Sequence, residues 1–130
     1  MAQGILLDTS AIIPHLRGDP AYLAHAESTD EPLFVSLTVL GELYKGVLKS
    51  NQQDKNRQVL ETFLQTVAIL HPDSATSLYY AQVSVDLERK GKIIPENDVW
   101  IAATALECGM PLVTRDAHFQ HVTGLQLLYW

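Results

Sequence analysis

Ile5-Leu6-Leu7-Asp8-Thr9-Ser10 sets three apolar residues directly before an acid and two hydroxyls, and Ser10 to Leu16 then reads as a short helix interrupted by Pro14. A short apolar run closed by a polar residue is the pattern of a strand buried on both faces. Four further runs read likewise as buried strands, Leu33-Phe34-Val35, Val67-Ala68-Ile69-Leu70, Leu112-Val113-Thr114, and Leu125 to Tyr129, and four of the five have a turn-former or polar residue at their ends. Longer helical patterns lie between them. Strands alternating with helices imply an α/β fold around a mainly parallel central sheet of about five strands.

The helical segments carry their own stop and start signals. Ala21 to Ala26 follows the Gly18-Asp19-Pro20 turn. Leu37 to Leu48, capped by Ser36, repeats apolar residues at three and four, and Asn51 to Thr66 does the same with Val59, Leu60, Phe63 and Leu64, so the two read as a helical hairpin. Asp73 or Ser74 caps a long helix whose apolar stripe runs through Leu78, Ala81, Val85 and Leu87 to a stop at Gly91. The last strong helix, Glu96 to Glu107, ends at Gly109 before Pro111. No repeat or linker divides the chain, so residues 1–130 are expected to form a single domain.

Composition bounds the setting. The length suffices to bury about two-thirds of the unfolded chain's surface without crosslinks, and the lone Cys108 can form no internal disulfide. Met1 to Leu7 shows no basic leader, and no window approaches the ~20 apolar residues of a membrane span. A cytoplasmic protein with no membrane association is expected. Nine basic residues against 15 acids give a net charge of −6, a balance that argues against a partner held by its phosphates.

The acids themselves modify that conclusion. Asp8 follows the first strand and Asp116 the fourth, and in a parallel sheet such ends share the edge where open α/β folds place their sites. Taken alone, either acid reads as a helix cap or a turn residue. Asp98 lies three, four and seven residues before Ile101, Ala102 and Ala105, which puts a carboxylate on a buried stripe. The bland alternative is an outward-turned acid stabilised by the helix dipole. Glu42, by contrast, falls opposite the Leu40/Tyr44/Val47 stripe and reads as a surface acid paired with Lys45.

Other groups carry weaker signals. His15, His25, His71, His118 and His121 show no spacing suited to a zinc helix and read as surface or capping residues. Glycine-rich phosphate loops are absent. Tyr79, Tyr80, Trp100 and Trp130 read as core or interface anchors. The basic residues cluster at Lys45, Lys49, Lys55 and Arg57 and at Arg89, Lys90 and Lys92, as solvated helix ends or as a track for a polyanion. Arg115 neighbours Asp116 either as a contact to that polyanion or as a structural ion-pair partner.

Carboxylates that converge repel one another unless a cation is shared among them. Mg2+ or Mn2+ suits such all-oxygen ligands and leaves positions open for water and a substrate phosphate. That is the equipment for hydrolysing a phosphodiester. Ser10 and Asn97, each beside a candidate ligand, could orient waters or carboxylates.

Four segments bring a family into view. Asp8-Thr9-Ser10, Glu42-Leu43-Tyr44-Lys45-Gly46, Asn97-Asp98-Val99-Trp100-Ile101-Ala102-Ala103 and Thr114-Arg115-Asp116-Ala117-His118-Phe119 resemble, in order, the motifs of the PIN-domain ribonucleases, especially the VapC-type toxins. The resemblance runs through essentially the whole chain. It implies a PIN-like three-layer α/β/α sandwich and a Mg2+- or Mn2+-dependent endoribonuclease whose catalytic and metal-binding acids are Asp8, Glu42, Asp98 and Asp116. It turns Glu42 from a surface residue into a ligand facing the site, ranks Asp116 as the acid that matters least, and gives Thr114 and Ser10 supporting places. It further implies a homodimer and a cognate antitoxin covering the active-site groove.

Two alternatives differ in class. A PIN-like module that binds RNA or protein without cutting would keep the fold and fail an activity assay. An aspartyl phosphoacceptor domain would share the parallel sheet and the Mg2+ pocket, but it needs a lysine after a strand near the acceptor, and none is suitably placed. Assigning four acids to the site leaves 11 against nine basic residues, so much of the negative charge is local and a cation offsets it.

Overall fold

The structure is a computed structural model that describes residues 4–130; Met1 to Gln3, which belong to the segment expected to carry no basic leader, lie outside them. Five strands, β1 (Ile5–Leu7), β2 (Leu33–Ser36), β3 (Ala68–Leu70), β4 (Leu112–Val113) and β5 (Leu127–Leu128), form one parallel sheet in the order β3-β2-β1-β4-β5. Leu7 stands opposite Val35 on one side and Val113 on the other. β1 and β4 are buried along their whole length, whereas the edge strands β3 and β5 are not. This gradient explains why the inner strands read as pure apolar runs. The run Leu125 to Tyr129 shortens to two paired residues because an edge strand has only one neighbour.

Six helices fill the connections: α1 (Thr9–Leu16), α2 (Ala21–Glu27), α3 (Leu37–Lys49), α4 (Gln53–Leu64), α5 (Ser74–Lys90) and α6 (Glu96–Cys108). The chain steps outward from β1 to β3, then crosses back to lay β4 against β1. With right-handed crossovers, that reversal places α1–α4 on one face and α5 and α6 on the other, giving the three layers. It also makes the adjacent C-terminal ends of β1 and β4 the point where strand order reverses, the usual crevice for a ligand in such sheets.

Local signals hold these elements in place. The Ser36 hydroxyl accepts from Val39 N–H at 3.2 Å at the start of α3, whose Val39, Leu43 and Val47 turn inward. Asp73 and Thr76 form a capping box on α5, and Gly91 and Gly109 end α5 and α6 at φ +67° and +66°, where a side chain would be strained. One correction concerns α5. Leu78 is 61% exposed and Val85 42%, while Thr76, Val83 and Leu87 are buried. The helix carries two apolar stripes at helical spacing, and periodicity does not say which of them α6 covers.

Candidate active site

Asp8 is the first side chain past β1, with its N–H bonded to Val113 O at 2.9 Å. It occupies the N-cap of α1, yet its carboxylate makes no capping hydrogen bond. Instead Oδ2 accepts from the Ser10 hydroxyl at 2.6 Å and from the Thr114 hydroxyl at 2.8 Å. Those hydroxyls are fixed in turn by the Arg115 N–H, 2.9 Å from Ser10 Oγ, and the Asp116 N–H, 3.0 Å from Thr114 Oγ1. The turn after β4 is thereby tied to the end of β1, and Oδ1 is left for the pocket that Asp8 lines. Burial pushes the Asp8 carboxyl above its ordinary range, the hydroxyls pull it down, and Asp116 adds repulsion.

Asp98 sits in the first turn of α6, 9% exposed, which excludes the outward-turned reading. Its carboxyl is raised to about 6, first by burial and next by the charge of Asp8, with His118 acting in the opposite direction. Glu42 on α3 is half-buried and faces the same space. Thr9 donates to its Oε1 at 2.6 Å, and the Asn97 side-chain amide approaches Oε2 at 3.5 Å. No ion pair joins it to Lys45 among the described residues, so the surface-pair reading of Glu42 gives way to the inward one. Asp116 completes the set at the N-cap of the short 3-10 helix Ala117–His121, again without capping it.

All four acids, with Ser10 and Asn97, border one open cavity of about 660 Å3. Thr114 lies fully buried behind Asp8. The remaining residues named from sequence fall elsewhere. Lys45 and Lys49 are exposed along α3 and do not line the cavity. Arg115 turns away to Asp19, 3.3 Å off, and to the Trp130 carbonyl at 3.0 Å.

Sequence reasoning missed two contributors. Thr9, which stands in the first motif with no role assigned from sequence, bonds the Glu42 carboxylate. His118, read as a surface or capping residue, lines the cavity with Nε2 2.6 Å from Asp98 Oδ2. One ligand atom each from Asp98, Asp116 and His118 lies within 4.8 Å of the others, a spacing that fits a single cation. A search for histidine pairs on one helix overlooks it, because its partners are acids on two different elements.

Fold and site together define a class: a parallel α/β domain whose switch-point crevice holds a carboxylate centre suited to a divalent cation. Comparison with known proteins makes the assignment specific. The PIN domain profile matches residues 5–125. Ribonuclease VapC1 of Haemophilus influenzae strain R2866 is 30% identical over 129 residues, 96% of each chain, and the tRNA(fMet)-specific endonuclease VapC of Shigella flexneri is 28% identical over 127 residues with the same coverage. Among solved structures, VapBC2 from Rickettsia felis, bound to a DNA fragment from its promoter, superposes with a TM-score of 0.93 at 30% identity, covering 97% of this chain and 98% of that one. The chain belongs to the PIN-domain family, in its VapC-type branch.

Proposed function

We propose that this protein is a metal-dependent endoribonuclease that hydrolyses RNA phosphodiester bonds, and that it serves as the toxin of a type II toxin–antitoxin pair. The observation that carries the reading is the convergence of Asp8, Glu42, Asp98 and Asp116 from four separate elements onto one crevice. In this reading the four acids hold Mg2+ or Mn2+. Arg115 is already paired with Asp19 and not with the cluster, and the Asp98 carboxyl, raised first by burial and next by the Asp8 charge, is one that a bound cation would favour in its ionised form. When bound, the ion supplies Lewis-acid polarisation of a phosphate and a more acidic water. Ser10 and Thr114 keep one oxygen of Asp8 turned away from the pocket, and Thr9 and Asn97 hold the Glu42 carboxylate over it. Lys45 and Lys49 are free to follow an RNA backbone along α3. Nothing observed favours the non-cutting alternative. The test is cleavage of an RNA panel, an initiator tRNA included, with Mg2+ or Mn2+ and with EDTA; cutting that persists in EDTA rejects the reading.

A cognate antitoxin is the expected partner, since the VapC-type neighbours were solved as VapBC complexes. A homodimer is supported by the apolar residues left exposed on and just after α5, namely Leu78, Val85 and Ile93. Leu78→Asp with Val85→Asp should then yield a folded monomer by light scattering. The single sheet and continuous core support one domain spanning the chain. No helix among the described residues is long and apolar enough to cross a membrane, and we place the protein in the cytoplasm with its RNA.

A further inference from the structure

His118 makes an unusual contact. Its Nε2 lies 2.6 Å from Asp98 Oδ2, closer than most charge-assisted hydrogen bonds, yet that buried nitrogen has no hydrogen-bond partner. The contact has the distance of a hydrogen bond without its alignment. A buried imidazole nitrogen without a partner costs stability as it stands. Donor atoms around a shared cation have this relationship: with bonds of about 2.1 Å, neighbouring donors sit about 3 Å apart and opposite ones about 4.2 Å, their lone pairs converging on the ion. The Asp98, Asp116 and His118 ligand atoms all lie within 4.8 Å of one another, and small side-chain adjustments bring them to those separations. The ring is held where it is by its own turn, because Phe119 is fully buried and packs against the His118 ring at 4.9 Å.

We infer that His118 Nε2 is itself a ligand of the cation bound by Asp98 and Asp116, which makes the centre a mixed oxygen–nitrogen site that selects Mn2+ over Mg2+. The inference rests on the metal-dependent reading above and adds to it a ligand and an ion preference. Imidazole contributes little to binding Mg2+, a hard ion that prefers oxygen, whereas affinity for nitrogen-containing sites rises along the transition series that Mn2+ begins. His118 thus acts as a specificity-determining residue for the ion. The competing role, an imidazolium paired with Asp98 in place of a cation, puts no nitrogen on the metal.

Pulsed electron paramagnetic resonance of Mn2+ bound to the full chain separates these roles without an activity measurement. The expected spectrum of wild type shows 14N coupling from a directly bound imidazole, shifted to the 15N pattern by histidine-selective labelling and absent in His118→Ala. In competition titrations, the preference for Mn2+ over Mg2+ should fall by about tenfold in His118→Ala. The labelling arm needs no substitution and holds even if that variant folds poorly. Bound Mn2+ with no nitrogen coupling overturns the inference while leaving the metal-dependent reading intact; no binding of either ion by wild type overturns both.

Discussion

Thr114 donates a hydrogen bond of 2.8 Å to Asp8 across a sequence separation of 106 residues, and it accepts one of 3.0 Å from the Asp116 N–H. One buried hydroxyl therefore sets the position of two candidate ligands just beyond the ends of neighbouring strands. Thr114→Val keeps the shape and removes both bonds, together with the 3.2 Å contact between the Thr114 and Ser10 hydroxyls. Buried groups left without partners cost about 1–3 kcal/mol, and residues that orient metal ligands affect ion affinity by about 10–100-fold. The variant should unfold at lower denaturant, bind Mn2+ more weakly, and recover both properties in Thr114→Ser. A Thr114→Val protein with wild-type ion affinity would remove Thr114 from the site.

The metal-free protein should lose stability as pH rises. Asp98 keeps its proton up to about 6 in the folded state and only to the ordinary value of 3.8 when unfolded. Between those values the native state holds more protons, so the unfolding free energy falls with pH, by at most about 3 kcal/mol. Melting in EDTA should therefore show a declining Tm from pH 4.5 to 7, and Asp98→Asn should flatten the decline and melt higher than wild type at pH 7. Saturating Mn2+ should raise the wild type above the variant. Metal-free Asp98→Asn melting below wild type at pH 7 would mean that the carboxylate stabilises the fold.

Arg115 tests whether proximity in sequence implies a role in binding. Its guanidinium is committed to Asp19, and both side chains are about a third exposed, at 34% and 37%. So exposed a pair contributes little to stability. Arg115→Ala should melt close to wild type and cleave RNA with unchanged KM. A large rise in KM would instead place the guanidinium on the RNA.

The legible and illegible parts of the chain divide for physical reasons. Strands buried on both faces announce themselves by composition, so β1, β2 and β4 and the acids just beyond β1 and β4 were readable from runs as short as Leu112-Val113-Thr114. Asp98 was readable because a carboxylate in an otherwise apolar stripe is conspicuous. Glu42 was not, since α3 buries Leu43 and Val47 in the core while its next face is covered by α6 across the crevice, and periodicity registers only the first of these. The covered side of α5 was illegible for a related reason, two stripes competing for one partner. His118 depends on the turn after β4 folding back over α6, a tertiary arrangement that no local spacing encodes.

The central claim is that the four acids form one cation-dependent nuclease centre. Single-turnover cleavage of RNA by the antitoxin-free chain, titrated with Mn2+ and compared between wild type and Asp98→Asn, tests it most directly. Wild type should cut only with the ion present, and Asp98→Asn, still folded by circular dichroism, should be at least about 100-fold slower at every ion concentration. Cleavage by Asp98→Asn at the wild-type rate, or by wild type in EDTA, would contradict it.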